Sequence, residues 1–344
     1  MPPAPDILIV RLSAIGDILL ATPLLRALRV RHPASLITFV TRPRFLPLLE
    51  HNPRLTRVVP WDPAAGIVAL KESLGSETLA RFTHRLDLQD SLRTRLLRAR
   101  LGGKWTGYPK YRLARAVLIR TKRNHYRDRR PVAERYFDAA RGLDVTPDSG
   151  SLEMFVPRSA TDAAERFASR FTRQIVALAP GAAHATKRWP PHHWIGLARR
   201  LVDSGNQVVI VGGEMDRAAA AGIVAQVGEP ENRAGGPGPV ASAAGWDLPE
   251  TAALLRKCRA LVAGDTGQMH LATAVGTPVV ALFGPTVEAF GFFPYHAKAS
   301  VLQLELPCRP CSAHGGPACP LRHHRCLQDL QPDLVIEALR KLPR

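Results

Sequence analysis

Several signatures that would assign this chain to a class at once are missing from it. It has no uninterrupted run of about 18 apolar residues, the length that a membrane-spanning helix needs. It has no G-x-G-x-x-G after its first apolar run and no G-x-x-x-x-G-K-S/T, which argues against a nicotinamide-dependent dehydrogenase and a P-loop phosphotransferase. It also lacks Asp-x-Asp, the motif with which many sugar transferases hold a diphosphate through a divalent metal. If a diphosphate departs here, fixed cations and helix dipoles must stabilise its charge.

Acidic residues are scarce. Asp and Glu number 29 against 47 Lys and Arg, which gives a formal net charge of +18. Residues 93–135 contain 15 basic residues and two acidic ones, Asp128 and Glu134. The positive electrostatic potential of such a segment attracts nucleic acid, phospholipid headgroups or acidic glycans, although a basic segment can also be an ordinary solvent-exposed face. Because the chain has no DNA- or RNA-binding motif, no nucleic-acid partner is expected.

Cysteine is also rare, with five in the chain. Four of them form the spacing Cys308-x2-Cys311-x7-Cys319-x6-Cys326, which suits either plain structural thiols or a four-thiolate zinc site. Because the second half lacks C-x2-C, we take structural thiols as the default and expect no metal. The first six residues carry no charged segment and no signal-peptidase site, so the sequence predicts no secretory signal and a cytoplasmic location, where thiols stay reduced.

Short apolar runs alternate with helical patterns twice along the chain, which predicts parallel sheets covered by helices on both faces. At 344 residues the chain has room for two such domains. We predict an α/β fold of two Rossmann-like, doubly wound parallel-sheet domains, over residues 1–155 and 156–327, facing a cleft. A final helix within residues 328–344 is expected to pack back on the first domain, and residues 108–130 are expected to form a loop region. The predicted strands are Ile7–Val10, Leu36–Val40, Val58–Pro60, Leu86–Leu88, Ile175–Ala179, Val208–Val211, Leu261–Ala263 and Val279–Phe283.

Two polar loops follow predicted strands. The first, Arg11–Asp17, leads into a helix that Asp17 can cap. The second, Gly264–Gly267, leads from a buried strand into a small-residue helix that carries His270. The free N–H groups and the positive dipole end of such a helix suit an anion such as phosphate, although an ordinary capped turn has the same pattern.

A third loop follows the predicted strand that ends at residue 179 and carries Thr186, Lys187 and Arg188. Open α/β sheets place their ligands at the carboxyl ends of the strands. We therefore interpret Lys187, together with the Asp265–Gly267 loop, as a clamp for a diphosphate. The alternative is an exposed basic loop.

Five segments, in order along the chain, resemble glycosyltransferase family 9, the bacterial lipopolysaccharide heptosyltransferases. The resemblance extends from residue 7 to about residue 335. It implies the GT-B fold, with the acceptor bound mainly by the first domain and the nucleotide sugar mainly by the second. It further implies ADP-heptose as donor, the Kdo-bearing inner core of lipid A as acceptor, and inverting transfer without a metal cofactor. The segments are Arg11–Asp17, Asp87–Ser91, Pro180–Gly181 with Lys187–Pro190, Gly212–Glu214, and Asp265–His270 with Phe283–Thr286.

The resemblance also implies roles for individual residues. Asp17 matches the catalytic base, and Ser13 and Gly16 lie on the same acceptor-side loop. Asp216 suits a hydrogen bond to the donor ribose, and Glu214 competes for that role. His270 suits packing as well as it suits donor binding. The residues implied to bind the donor diphosphate are Thr186, Lys187, Asp265, Thr266, Gly267 and His270.

The basic segment over residues 93–135 gains a partner from this resemblance, since arginine recognises carboxylates and phosphates of an inner-core glycan by paired hydrogen bonds. Anionic headgroups would also hold such an enzyme, as a peripheral protein, on the cytoplasmic face of the inner membrane. Two other classes stay open. One is an enzyme of the same fold that uses another nucleotide sugar or acceptor, or a nucleotide-sugar epimerase; the other is a non-enzymatic basic protein that binds membrane or nucleic acid.

Overall fold

The computed structural model describes residues 4–228 and 238–343, and the chain divides into two compact units. Unit 1 comprises residues 1–110 and 130–155, and unit 2 comprises residues 111–129 and 156–344. Residues 1–3 of the amino-terminal segment in which no secretory signal is predicted lie outside the described part of the chain.

Five short strands form a fully parallel sheet in unit 1. They are β1 (Ile7–Val10), β2 (Ile37–Thr41), β3 (Arg57–Pro60), β4 (His84–Asp87) and β5 (Trp105–Gly107). Their order across the sheet is β3-β2-β1-β4-β5. The α-helices up to residue 135 are α1 (Ile15–Leu19), α2 (Thr22–Arg31), α3 (Gly66–Leu74), α4 (Ser76–Arg81), α5 (Leu92–Leu101), α6 (Arg112–Thr121), which belongs to unit 2, and α7 (Val132–Arg135).

Strands β1 and β2 of unit 1 form because their residues are apolar or β-branched and suit burial on both faces. Every residue of β1 and β2 is buried, as expected for parallel strands that helices cover on both sides. One face packs Leu8, Val10 and Val40 against Leu70 and Leu97 of the covering helices. This packing fixes the loop that leaves β1, where the first predicted site lies.

Six parallel strands form the sheet of unit 2. They are β6 (Ile175–Ala179), β7 (Gln207–Ile210), β8 (Val240–Ser242), β9 (Ala260–Gly264), β10 (Val279–Phe283) and β11 (Ala299–Gln303), in the order β11-β10-β9-β6-β7-β8. The remaining helices are α8 (Arg158–Ala168), α9 (Pro191–Asp203), α10 (Arg217–Val227), α11 (Leu248–Leu255), α12 (Gly267–Ala274), α13 (Arg325–Gln328) and α14 (Pro332–Lys341).

The final helix differs from the sequence-based expectation. The sequence predicts that the helix within 328–344 packs back on the first domain, whereas the structure assigns α14 to unit 2. Val335 and Leu339 are buried in the same apolar cluster as Trp194 and Leu197 of α9. The apolar stripe of α14 therefore completes the core over the second sheet.

The region over residues 108–130 also differs from the prediction, because it contains α6 in place of a loop. Leu118 and Tyr126 pack with Phe290, far along the chain, in a small apolar cluster of unit 2. The segment therefore groups with the second sheet, although the sequence-based division at residue 155 places it in the first domain. Its helical form depends on this distant contact, which local periodicity does not reveal.

Within residues 4–228 and 238–343, no helix has both the length and the apolar character needed to cross a bilayer.

Candidate functional site

Each sheet has a switch point, where two neighbouring strands are followed by chain that runs to opposite sides. In unit 1 the switch point lies between β1 and β4, and in unit 2 it lies between β6 and β9. Ligands of open α/β sheets bind outside the carboxyl ends of the strands at such points. The three loops that the sequence singles out follow β1, β6 and β9, so all three lie at a switch point.

The loop after β1 holds Asp17 against Arg11. Asp17 lies in the first turn of α1, where its Oδ2 accepts a hydrogen bond from the Ala14 backbone N–H at 3.3 Å. Its Oδ1 lies 2.5 Å from Nη2 of Arg11. The Arg11 side chain is only 6% exposed and that of Asp17 is 23% exposed, so the carboxylate is the accessible half of the pair. Asp17 therefore caps the first turn of α1 and also presents its carboxylate to solvent.

The loop after β4 lies next to the loop after β1, because the two strands pair, and it holds that loop in place by hydrogen bonds. Oε1 of Gln89 accepts hydrogen bonds from the backbone N–H groups of Leu12 and Ser13 at 3.0 and 3.3 Å. The fully buried Asp87 in turn accepts hydrogen bonds from the backbone N–H groups of Gln89 and Asp90. Ser13 therefore contributes its backbone to the site, and Gly16 lies within α1.

Arg11 is a buried cation whose surroundings keep it charged. Burial works against its charge, but the Asp17 carboxylate and then Tyr136 and Tyr108 outweigh burial and raise the pKa of Arg11. The guanidinium also donates to the carbonyl oxygen of Leu88 and lies 5.9 Å from the centre of the Tyr136 ring. A permanent positive charge therefore faces Asp17 from the protein side.

At the switch point of unit 2, two side chains contact one carboxylate oxygen of a third. Nζ of Lys187 lies 2.6 Å from Oδ2 of Asp265, and Oγ1 of Thr286 donates a hydrogen bond to the same oxygen at 2.7 Å. The side chains of Lys187 and Asp265 are 15% and 9% exposed. The structure thus brings Lys187 and Asp265 together, as adjacent strands predict. We call Lys187, Asp265 and Thr286 the lysine cluster.

The amino terminus of α12 presents polar groups that protein does not satisfy. Thr266 is the N-cap residue and Gly267 the first residue of the helix. In residues 4–228 and 238–343 the buried Thr266 Oγ1 and Gln268 Oε1 have no hydrogen-bond partner. An unsatisfied buried hydroxyl is costly, and a ligand is one way to satisfy it. His270, one turn into α12, is buried.

Thr186 is tied to the carboxyl-terminal segment. Its Oγ1 accepts a hydrogen bond from the Gly316 backbone N–H at 2.8 Å, and its carbonyl oxygen lies 3.0 Å from Nε2 of His324. Its hydroxyl thus contacts protein, while Lys187, the next residue, reaches the lysine cluster. The segment around Gly316 and His324 therefore buttresses the loop that carries Lys187.

Asp216 and Glu214 occupy different places. Oδ2 of Asp216 accepts a hydrogen bond from the Gly213 backbone N–H at 2.9 Å. A Cβ on Gly181 would lie 2.0 Å from the Asp216 carboxylate and one on Gly212 would lie 2.6 Å from it, so both glycines closely approach this side chain. Glu214 instead pairs with Arg217 at 2.7 Å on the surface. Asp216 thus lies against the loops that follow β6 and β7.

The four carboxyl-terminal cysteines are free thiols. Burial raises the pKa of Cys311, and it raises the pKa of Cys326 to about 11. In the described part of the chain, no three His, Cys, Asp or Glu side chains form a group that could hold a metal ion.

Three residues of these sites escaped the sequence-based assignment of roles: Arg11, Gln89 and Thr286. Arg11 and Gln89 follow strands β1 and β4, which pair directly, and Thr286 follows β10, the neighbour of β9. The signal that could have found them is this adjacency of strands, because each residue lies within three positions of a strand end.

Comparison with known proteins places this geometry in a family. A sequence model described as Glycosyltransferase family 9 (heptosyltransferase) matches residues 67–319. Lipopolysaccharide heptosyltransferase 2 from Escherichia coli (strain K12) is 28% identical over 361 residues, with 98% of each chain covered. A solved glycosyl transferase family 9 structure from Veillonella parvula DSM 2008 is 25% identical and superposes with a TM-score of 0.78, covering 99% of this chain and 97% of that one.

A second solved structure, described as E. coli ADP-heptose lps heptosyltransferase II, is 27% identical, with a TM-score of 0.74 and 97% of each chain covered. These nearly full-length similarities confirm the predicted α/β fold of two Rossmann-like domains. Because the family model spans most of the sequence and the relatives span nearly all of it, the chain belongs to glycosyltransferase family 9, the heptosyltransferases.

Proposed function

We propose that this protein transfers heptose from ADP-heptose to the Kdo-bearing inner core of lipopolysaccharide, an anionic, lipid-linked glycan, with inversion at the anomeric carbon. The name of the Escherichia coli relative, ADP-heptose lps heptosyltransferase II, supports this donor and this class of acceptor. The observation that carries the proposal is the largely buried lysine cluster at the switch point of unit 2, beside the amino terminus of α12.

The donor diphosphate is proposed to bind at the lysine cluster. Negative charge grows on the diphosphate as its bond to the sugar breaks, and preorganised cations and N–H groups stabilise that charge most effectively where water is excluded. Lys187 supplies the cation, and the backbone N–H groups of Thr266 and Gly267 supply the helix terminus. Asp265 holds Lys187 in place, and Thr286 in turn holds Asp265 by donating a hydrogen bond to its carboxylate. His270 is proposed to support this turn from within α12.

The donor ribose is proposed to bind at Asp216. This carboxylate lies against Gly181 and Gly212, beside the loops at the carboxyl ends of β6 and β7. Glu214 is the weaker candidate, because its carboxylate already pairs with Arg217 on the surface.

Asp17 is proposed as the general base. The acceptor hydroxyl oxygen attacks the anomeric carbon while its proton passes to Asp17, and the electrons of the carbon–oxygen bond leave with the diphosphate. General-base catalysis of this kind contributes roughly 10²–10⁴-fold to the rate. The buried Arg11 would orient the carboxylate and balance its charge when the proton has left again.

No metal cofactor is proposed for the transfer step. Lys187 and the N–H groups of α12 supply the positive charge that a divalent ion would otherwise bring to the diphosphate. The four cysteines at Cys308, Cys311, Cys319 and Cys326 are assigned a structural role in the segment that buttresses Thr186.

We further propose that the enzyme docks as a peripheral protein on the cytoplasmic face of the inner membrane. The outer face of α5 exposes Leu92 (74%) and Leu96 (56%) beside Arg93, Arg95 and Arg100, with no acidic residue in the helix. Exposed leucines flanked by arginines suit the interface of an anionic bilayer, where each nearby cation contributes about 1 kcal/mol.

The proposal is tested by incubating the protein with ADP-heptose and Kdo-lipid A in EDTA-containing buffer and weighing the product by mass spectrometry. We expect the acceptor mass to rise by one heptose. The Asp17→Asn variant should lose about 10²–10⁴-fold in kcat but still bind ADP in calorimetry.

Asp203→Asn, an exposed carboxylate at the end of α9, is the matched control and should keep full activity. Unchanged turnover in Asp17→Asn would refute the assignment of the base. Conversion of the nucleotide sugar without acceptor would indicate an epimerase. Salt-sensitive nucleic-acid binding without nucleotide-sugar binding would indicate a non-enzymatic basic protein.

A further inference from the structure

Unit 1 has a cavity that the proposed chemistry does not use. It has a volume of about 550 Å³ and lies between α5 and β5. That volume is within the range of small-molecule sites, about 300–1,000 Å³. Its lining consists of Asp90, Arg95, Arg98, Ala99, Gly103 and Trp105.

The polar groups of the cavity are held in ion pairs. Arg95 Nε lies 3.2 Å from Oδ1 of Asp90, and Arg98 Nη1 lies 3.6 Å from Oδ2 of the buried Asp87. A guanidinium has five N–H donors in a planar fork, and these contacts engage only part of each fork. The ion pairs therefore fix the planes of the two guanidinium groups and leave other N–H groups of each guanidinium for a ligand. Arg95 is 57% exposed and Arg98 is 35% exposed, so both can meet a ligand from solvent.

The aromatic wall of the cavity is also fixed. The indole N–H of Trp105 donates a hydrogen bond to the carbonyl oxygen of Gly102 at 2.8 Å. Gly102 and Gly103 both have positive φ, and this turn brings the chain from the end of α5 back into β5. The indole is thus preorganised beside the helix.

We propose that this cavity binds a sugar ring of an acidic glycan. The apolar C–H face of a sugar packs on an indole, hydroxyl groups donate to a carboxylate such as that of Asp90, and guanidinium forks receive a carboxylate or phosphate substituent. The surroundings favour an acidic sugar over a neutral one, because α5 contains four arginines and no acid and Lys104 follows it. This inference rests on the proposed function in that the glycan is the acceptor.

A steric variant tests the site without removing any of its contacts. Ala99 is an exposed residue of α5, so Ala99→Phe should fold normally and fill the cavity. Ala225→Phe is the matched control, because Ala225 is an exposed alanine of α10 in unit 2. We expect Ala99→Phe to raise KM for the acceptor about tenfold while kcat and KM for the donor stay unchanged, the signature of lost ground-state binding. The control should change neither KM.

Binding is measured separately from turnover with protein carrying ¹⁵N in its five tryptophan indoles. The probe is the deacylated, Kdo-bearing inner-core glycan, and a neutral malto-oligosaccharide is the comparison. We expect the glycan to shift the Trp105 indole resonance, which Trp105→Phe assigns by its loss, and the neutral sugar to shift it far less. Ala99→Phe should abolish the shift.

The outcomes separate the two proposals. If the enzyme transfers heptose but the Trp105 resonance does not move and Ala99→Phe keeps its acceptor KM, the cavity is not a glycan site and the proposed function stands. If no transfer occurs while the resonance shifts with the acidic glycan, the cavity is a glycan site and the proposed function is wrong. Equal shifts with the neutral sugar would overturn the preference for acidic glycans.

Discussion

Replacing Lys187 by methionine separates two roles of this lysine, the stabilisation of the fold and the stabilisation of the leaving group. Methionine has a similar length and no charge. Its introduction leaves Asp265, which is 9% exposed, with the hydrogen bond from Thr286 at 2.7 Å as its remaining contact in the described lysine cluster. Removal of one partner from a buried ion pair costs about 3–5 kcal/mol, and the 15% exposure of Lys187 places the expected loss near the lower limit, at about 3 kcal/mol.

The effect on catalysis is expected to be independent of this loss. Removal of one preorganised charge-stabilising group typically lowers kcat about 10²–10³-fold. The double variant Lys187→Met/Asp265→Asn removes both charges and so restores most of the free energy of unfolding. It does not restore the cation that the diphosphate needs, so its kcat should stay as low as that of the single variant.

Two measurements check this reasoning. Urea unfolding gives the free energy of unfolding for the wild type, the single variant and the double variant, and ADP release at saturating donor and acceptor gives kcat. If the double variant recovers turnover together with stability, Lys187 serves only to neutralise Asp265. The proposed contact with the diphosphate would then be wrong.

Two further predictions follow from buried groups. Thr266→Val should lower kcat/KM for the donor about tenfold without lowering the free energy of unfolding. Oγ1 of Thr266 has no hydrogen-bond partner in the described residues, so valine removes a costly unsatisfied hydroxyl from the fold. A drop in the free energy of unfolding with normal donor kinetics would contradict this prediction. Burial raises the pKa of Cys258 from 9.0 to about 12, so the folded state keeps the thiol neutral while the unfolded state ionises it. The contribution of the buried thiol to the free energy of unfolding is therefore complete below pH 9 and is lost between pH 9 and 12, at about 1.4 kcal/mol per pH unit. The difference in the free energy of unfolding by urea between the wild type and Cys258→Ala should shrink over that range. A constant difference would contradict this prediction.

The central strands could be predicted from the sequence because their burial is visible in their composition. The predicted bounds of β1, β6 and β10 agree with the structure at both ends. These strands lie within the sheets with every residue buried, so a continuous apolar run marks them from end to end.

Among the four edge strands of the described sheets, β3 could be predicted over Val58–Pro60, whereas the other three could not. β5, β8 and β11 are short or only half-buried, and the apolar signal in them is correspondingly weak. α6 was hidden for a different reason. Its Leu113 is 79% exposed, and its buried Leu118 packs with the distant Phe290. The apolar residues of this segment therefore show no clear helical periodicity in the sequence.

The residues of the candidate sites were likewise predictable only in part. Lys187 and Asp265 could be predicted as neighbours, since both follow apolar strands and carry groups suited to a diphosphate. The partners that hold these groups could not. Thr286 and Gln89 act through one hydrogen-bonding atom each, and the value of that atom depends on which strands pair. Composition and spacing indicate which loops are polar, whereas the hydrogen-bond partners of individual side-chain atoms depend on the order of the strands.

The two sheets carry different charged groups at their switch points, although the order of the strands around those points is the same. At the switch point of unit 1 the more exposed group is a carboxylate, and the arginine that pairs with it is buried below. At the switch point of unit 2 Asp265 is buried and Lys187 is 15% exposed, and the adjoining helix terminus adds N–H groups and an unsatisfied hydroxyl. A carboxylate that solvent and an acceptor can reach suits the removal of a proton, whereas a largely buried lysine beside a helix amino terminus suits a departing diphosphate. Under the proposed function, the same topology with a different placement of charged groups would supply the base and the diphosphate site that an inverting transfer requires. Exchanging the charges within the unit 1 pair, as in Arg11→Asp/Asp17→Arg, should therefore abolish turnover even if the pair itself re-forms.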